Sequence, residues 1–196
     1  FNMVDERVYG VADNTRLIGD NGAVGGIYQC EDYIIDRKKD IQKWWKIKDE
    51  HKEKYDKQLE EMGIVLDENL CVINFRGGEY RGLSNVLLRK EYWRDSVNHM
   101  LSINKDMNFL VVNQSKWTII SNSTFSWWAA WLNEKTNKII APKYFNAHNL
   151  SDGYWSLGAI YTRCFDYIDR NGNVSDYDSC KKEAIEYYKN KNIKYN

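Results

Sequence analysis

Proline is almost missing from this chain: Pro142 stands alone in 196 residues. With no low-complexity stretch either, a proline-rich linker is excluded. Charge of one sign is missing too. There are 28 basic and 28 acidic side chains, and the pI is about 7.0. A nucleic-acid scaffold carries a basic excess, so nucleic acid is excluded as a partner. No apolar run reaches the ~18 residues of a transmembrane helix. The start, Phe1 to Asp5, lacks the basic and then apolar stretches of a signal peptide. The expected location is therefore the cytoplasm, the cytoplasmic face of a membrane included. The four cysteines, Cys30, Cys71, Cys164 and Cys180, have no metal-ligand spacing, and free thiols are expected. No compact Asp/Glu cluster suggests a metal, and none is expected. Neither a Gly-x-Gly-x-x-Gly nor a Gly-Lys-Ser/Thr loop is present, which argues against a dinucleotide or P-loop enzyme.

What remains is a chain that is 43% hydrophobic and 14% aromatic, with eight Trp and fourteen Tyr. It can bury a core. Residues 1–30 carry turn signals at Asp20-Asn21-Gly22 and Gly25-Gly26, then a strand edge at Gly26-Ile27-Tyr28. Asp32 to Met62 reads as one helix. It has an apolar cluster at Ile41, Trp44, Trp45 and Ile47, a solvated charged face, and an end at Gly63. Beyond residue 67 short apolar runs alternate with helical periods. Leu70–Phe75, Met107–Val112, Trp117–Ile120 and Lys138–Ala141 read as buried strands, the last stopped by Pro142. Glu91–Ile103 reads as an amphipathic helix with Tyr92, Trp93, Val97, Met100 and Leu101 inward. A further helix follows Ser121–Thr124, and Ser175-x-x-Asp178 reads as a capping box before a last helix. This alternation predicts a parallel sheet of Rossmann type.

Ligands of such sheets bind at the carboxyl ends of strands. Two polar loops leave strands there. In Asn74-Phe75-Arg76-Gly77-Gly78-Glu79-Tyr80, the glycines let backbone approach a ligand and Arg76 offers a fork of donors for a phosphate. Glu79 would pair with Arg76, meet a sugar hydroxyl or act as a base. The competing reading is a tight turn with a local ion pair. In Ser121-Asn122-Ser123-Thr124-Phe125-Ser126, the helix start would hold a phosphate or simply be an N-cap. Behind it, Trp127, Trp128 and Trp131 would be either an exposed platform or core, and burial of at least two is expected. A third candidate edge is His148, Asp152, Tyr154 and Trp155.

The string Ser-Asn-Ser-Thr-Phe-Ser-Trp-Trp-Ala-Ala-Trp-Leu (Ser121 to Leu132) resembles the C-terminal motif of the α-1,2-fucosyltransferases, glycosyltransferase family 11. The loop at Asn74 to Tyr80 is similar to the family's His-x-Arg-Arg-Gly-Asp-Tyr signature. Gly26 to Tyr33, leading to Trp44-Trp45, is similar to its Gly-Tyr-Phe-Gln-Ser-Glu-x-Tyr segment. The signature is altered: Asn74 stands for the His, Gly77 for the second Arg and Glu79 for the Asp. The closer likeness is to a branch carrying an Asn-Phe-Arg-Gly-Gly-Glu-Tyr loop. The family's opening Gly-Gly-Leu-Gly-Asn loop does not precede Phe1, and no acidic segment follows Val112. The expectation is that the sequence joins stretches of a longer chain, with a break between Val112 and Asn113, rather than being a truncated and deleted relative.

The resemblance implies a GT-B-like α/β fold. Residues 1–66 would be the remainder of an acceptor-side domain with a charged helix. Residues 67–196 would be the Rossmann-like nucleotide-sugar domain. It implies an inverting, metal-independent glycosyltransferase moving a sugar, fucose from GDP-fucose first, to a glycan hydroxyl. No cofactor is implied beyond that substrate. Arg76 would be catalytic through the leaving diphosphate, with Glu79 as the candidate acid–base group. Asn74, Arg76, Gly77, Gly78, Ser121, Asn122, Ser123, Thr124 and Phe125 would bind the nucleotide sugar, and His148, Asp152, Tyr154 and Trp155 would edge the sugar site. The alternative is a degenerate relative that binds a nucleotide or glycan without turnover.

Overall fold

Alternating apolar runs and helical periods do build a layered α/β unit. The computed structural model describes residues 3–5, 23–25, 31, 34–84, 86–110, 117–134, 138–145 and 161–190, without the side chains of Met3–Asp5, Ala23–Gly25, Glu79 and Tyr188. Two short strands, β1 (Met3–Asp5) and β2 (Ala23–Gly25), pair in parallel. Among the described residues the main sheet has six strands: β3 (Leu70–Ile73), β4 (Asn108–Leu110), β5 (Trp117–Ile119), β6 (Lys138–Pro142), β7 (Phe165–Ile168) and β8 (Val174–Ser175). Their spatial order is β4-β3-β5-β6-β7-β8, parallel throughout except for the β7–β8 hairpin.

Among the described residues five α-helices accompany them: α1 (Lys38–Trp44), α2 (Asp49–Glu61), α3 (Lys90–Ile103), α4 (Thr124–Leu132) and α5 (Tyr177–Asn190). The alternation along each strand feeds two cores. Ile139, Phe165 and Tyr167 pack with Trp127 and Trp131 of α4 and with Cys180 and Ala184 of α5. Ile119, Ile140 and Ile168 pack on the other face with Tyr92 and Met100 of α3. Strands covered on both faces must be apolar in near-continuous runs, which is why Leu70-Cys71-Val72 and Ile139-Ile140-Ala141 look as they do. Burial pushes the Cys71 and Cys180 thiols up to about 12. Cys71, Cys164 and Cys180 are free, as expected.

The order has a consequence for function. The chain enters at β3, moves outward to β4, then returns to the other side of β3 at β5. Connections leaving the neighbouring strands β3 and β5 therefore diverge, opening a crevice at their carboxyl ends.

Several local expectations need correction. The single helix over Asp32–Met62 is two helices. Lys48 is extended (φ −59°, ψ 141°), and Trp45 already leaves helical geometry. Of the apolar cluster there, only Ile41 packs on the core, while Trp44, Trp45 and Ile47 are exposed. The charged face is solvated, as expected: α2 has no buried residue, and Lys52 pairs with Asp56 one turn on. Gly63 does stop α2. It has φ +70°, donates to Glu60 O at 2.9 Å, and is followed by Ile64 donating to Leu59 O at 2.9 Å, the two bonds of a Schellman end. Pro142 closes β6 from inside, pairing in register with Ile168. The cap of α5 is Asp176, whose Oδ1 accepts from Ser179 N at 2.8 Å. Ser175 is one residue too early, and its hydroxyl instead accepts from Lys143 Nζ at 3.2 Å.

Strands β7 and β8 were not anticipated. Their turn is built by Asp169, which accepts from Asn171 N at 2.8 Å and Asn173 N at 2.9 Å, with Gly172 at φ +84°. Burial tends to raise the Asp169 pKa, but the hydrogen bonds from Asn173 and Asn171 outweigh it and hold the carboxyl below its usual range. The strand edge expected at Gly26–Tyr28 and the Val112–Asn113 junction lie outside the described residues. Among the described residues no helix is long and apolar enough to cross a membrane.

Candidate functional site

Asn74 follows β3 and Ile120 follows β5, so both polar loops leave the crevice strands side by side. The structure brings them into contact. Arg76 Nη1 donates to Ser123 Oγ at 2.8 Å. Ser121 Oγ donates to Asn74 Oδ1 at 3.3 Å, and the Ser126 hydroxyl donates to the same oxygen. The backbone joins as well, Asn74 N donating to Ile119 O at 2.8 Å. Residues 47 to 52 positions apart thus form one hydrogen-bonded unit.

Ser123 occupies the N-cap of α4 with extended geometry (φ −133°, ψ 131°), yet its side chain makes no capping bond. Its hydroxyl meets Arg76 instead. That departs from a plain N-cap: the helix start keeps its positive dipole end, and a guanidinium is held beside it. Both favour an anion at this corner. Among the loop side chains, Ser121, Asn122 and Ser123 are buried, whereas Thr124 and Phe125 are exposed. The geometry makes the first three a scaffold for the corner and leaves the outer surface to Arg76, Thr124 and Phe125.

Asn122 shows how the scaffold is tied. Its Nδ2 donates to Val86 O at 2.5 Å and to Phe145 O at 3.1 Å. Its own carbonyl accepts from Tyr80 Oη at 3.4 Å. The Tyr80 ring lies under the Arg76 guanidinium, 4.7 Å from its centre, a cation–π contact that fixes the donor fork from below. Nearby, Tyr92 Oη donates to Ile120 O at 2.6 Å. Desolvation pushes that phenol far above its usual range, so it stays a neutral donor.

The glycines have separate reasons. Gly78 has φ +36°, a backbone that side-chain-bearing residues rarely adopt, and it opens a short 3-10 turn over Gly78–Gly82. At Gly77 an added Cβ would lie 3.2 Å from the Phe75 ring. The Phe75 ring is otherwise turned onto Trp93, 5.2 Å between centroids.

Residues 88–168 match the family model of glycosyl transferase family 11. This segment is similar to family 11 glycosyltransferases. It covers fewer than half of the 196 residues, running from just before α3 to the last residue of β7. It therefore includes the Ser121–Leu132 motif and leaves the Arg76 loop outside. No curated protein and no solved structure matches the chain. The match supports a glycosyltransferase of fucosyltransferase type, as the motif resemblance implied.

Within the matched residues, Trp127 and Trp131 are buried, so a Trp-rich platform built on all three tryptophans fails. Their indole N–H groups donate to Thr162 Oγ1 at 3.0 Å and to Glu31 Oε2 at 3.3 Å. Sequence reasoning missed Ser126, Tyr80, Tyr92 and Glu31 as supporting groups. Tyr80 and Glu31 stood inside quoted motifs. Ser126 stood inside one too, but no local pattern shows that Ser126 would bond Asn74 or that Tyr92 would bond Ile120, since those partners follow distant strands. His148, Asp152, Tyr154 and Trp155 lie outside the described residues, as does the Glu79 side chain. Among the described residues no group of three His, Cys, Asp or Glu is arranged to hold a metal.

Proposed function

We propose that the chain is a glycosyltransferase that moves a sugar from a GDP-linked donor, GDP-fucose first, to a glycan hydroxyl, with inversion at the anomeric carbon. The observation that carries this reading is the Arg76–Ser123 bond at the start of α4, 2.8 Å long, at the mouth of the β3–β5 crevice. As the glycosidic bond breaks, negative charge grows on the diphosphate. A guanidinium already oriented by Ser123 and Tyr80, beside a helix N-terminus, stabilises that charge where it develops. This chemistry requires no metal. In a GT-B arrangement, residues 67–196 would hold the donor and residues 1–66 would belong to the acceptor side. Glu79 is the candidate acid–base group. It would have to sit within hydrogen-bond reach of the acceptor hydroxyl, and a neighbouring Arg76 would keep it ionised.

The test is GDP release from GDP-fucose by the wild type and by Arg76→Ala. Loss of one such donor costs on the order of 100-fold or more in turnover. A thermal-shift series with GDP, UDP and CMP reports the base. Stabilisation by GDP alone supports the reading, and stabilisation by UDP or CMP instead sinks the GDP assignment. Gly77 and Asn74, standing where the signature has Arg and His, favour a second reading as a non-turning-over binder. GDP stabilisation without release from any donor would select it.

A further inference from the structure

The surface beside α4 carries aromatic side chains that no packing requirement explains. Trp44 is 72% exposed and Trp45 is 65% exposed, at the end of α1. Trp45 is not loose: its ring lies parallel to Trp128, 5.9 Å away and tilted by 6°. Trp128 in turn stands edge-on to Trp127 at 5.0 Å and to Trp131 at 5.7 Å. Those inner rings are locked by their hydrogen bonds to Thr162 and Glu31. The ladder thus fixes Trp45 to the core on one side and leaves its other side to solvent.

The direction of this ladder matters. Gln42 Nε2 donates to Leu132 O at 3.4 Å, at the end of α4. Three residues later Trp45 meets Trp128, nearer the start of α4. The chain therefore advances along α4 toward its N-terminus. Trp128 is four residues from Thr124, about 6 Å along the axis at 1.5 Å per residue. Phe125, 64% exposed, precedes Trp128 by three positions and shares its helix face. An aromatic strip consequently runs from α1 to the corner where Arg76 meets Ser123.

We propose that this strip is a stacking platform for the sugar rings of an acceptor glycan, an assignment that rests on the glycosyltransferase reading above. A pyranose ring has an apolar C–H face and a rim of hydroxyls. Flat indole faces, with the polar Gln42, Lys43 and Lys46 next to them in the chain, match both, because the apolar ring bodies desolvate the C–H face while polar groups nearby stay wet. Contiguous exposed apolar surface of this kind marks an interaction site. The strip itself carries no charge, and two of the basic side chains flanking it are paired, Arg37 with Asp40 at 3.4 Å and Lys46 with Asp49 at 3.3 Å. That favours a neutral glycan; an anionic lipid surface, which Lys43 and Lys48 would also attract, is an outcome of the test.

The experiment uses the full chain and the variants Trp44→Ala and Trp45→Ala. Intrinsic fluorescence titration with neutral oligosaccharides of increasing length reads binding directly. Acceptor KM and acceptor-free GDP release are read in parallel, with melting temperature as a fold control. Trp44 is the variant least able to disturb the fold, since most of its surface is already in water. The expected result is affinity that grows with oligosaccharide length and falls about tenfold or more in the variants. Acceptor KM rises in step, while GDP release in the absence of acceptor and the melting temperature of Trp44→Ala stay unchanged. Unchanged oligosaccharide affinity in both variants overturns the platform. So does wild-type binding to phosphatidylcholine–phosphatidylglycerol vesicles that the variants lose while keeping oligosaccharide affinity. If the wild type releases no GDP from any donor, the enzymatic reading fails by itself, and the titration still decides the glycan platform.

Discussion

Asn122 is enclosed to 1% exposure, and its amide nitrogen meets two backbone carbonyls from opposite sides of the crevice. A neutral donor pair is what that place requires, because a carbonyl buried without a partner keeps its full desolvation cost. In Asn122→Ala both Val86 O and Phe145 O lose this donor. We expect a stability loss of about 1–3 kcal/mol in denaturant unfolding. Tyr80 would also lose its seat as the loop relaxes, so donor affinity, read by GDP thermal shift, should fall with it. A variant with wild-type stability and wild-type GDP shift would remove Asn122 from the scaffold. At this scale the residue types were readable from the chain. Arg76 and the serines are donors and acceptors of the right kind for an anion corner. Their pairing was not readable, since Arg76 and Ser123 are 47 positions apart and nothing local says that a guanidinium replaces the N-cap bond.

Among the elements, α3 was legible because its apolar spacing matches one buried face, and α4 because the small polar residues Ser121–Thr124 mark its start. The α1–α2 break was not, since Trp45 to Lys48 contain neither Gly nor Pro; there Trp45 stacks on Trp128, a contact with a residue far along the chain. The β7–β8 hairpin was also missed. Its four-residue strand carries Asp166, whose carboxylate accepts from Lys138 Nζ at 2.6 Å, so a charged residue interrupts the apolar run. The turn itself is a sequence signal, Asp169 to Asn173 around Asn171-Gly172. Gly172 has φ +84°, and a Cβ there would lie 2.9 Å from Asp95 Oδ2 of α3. Gly172→Ala is expected to cost about 1–2 kcal/mol from the left-handed backbone, with the Asp95 contact adding to it. The measurement is a shift of the denaturation midpoint without a change of slope. An unchanged midpoint would show that the hairpin refolds around the side chain.

On the scale of the molecule, one buried carboxylate ties an early segment to the sheet. Glu31 is 1% exposed, yet it accepts from Arg163 N at 2.6 Å, Arg163 Nη1 at 2.9 Å and Trp131 Nε1 at 3.3 Å. Its partners lie 132 and 100 positions away. Glu31→Ala would leave the Trp131 N–H without this acceptor and Arg163 without its carboxylate partner, though Arg163 would keep its contact with the Tyr177 ring at 5.0 Å. Because Arg163 is already half exposed, the expected loss is nearer that of charged hydrogen bonds, about 1–3 kcal/mol, than of a wholly buried pair. Equilibrium unfolding checks it, and a loss within a few tenths of a kcal/mol would show that the segment is not held this way. The sequence by itself determined the α/β alternation, the two candidate loops and the family 11 motif, because periodicity, turn chemistry and a contiguous string are local properties. Only the tertiary structure decided that β3 and β5 lie side by side and that Arg76 therefore meets Ser123. It also decided that Asn122 and Glu31 are struts, which two of the three tryptophans expected to be mostly core are the buried ones (Trp127 and Trp131), and that Trp44 and Trp45 face water. Those outcomes depend on which distant strand pairs with which, and the carboxyl ends of two neighbouring strands become one site only after the sheet has assembled.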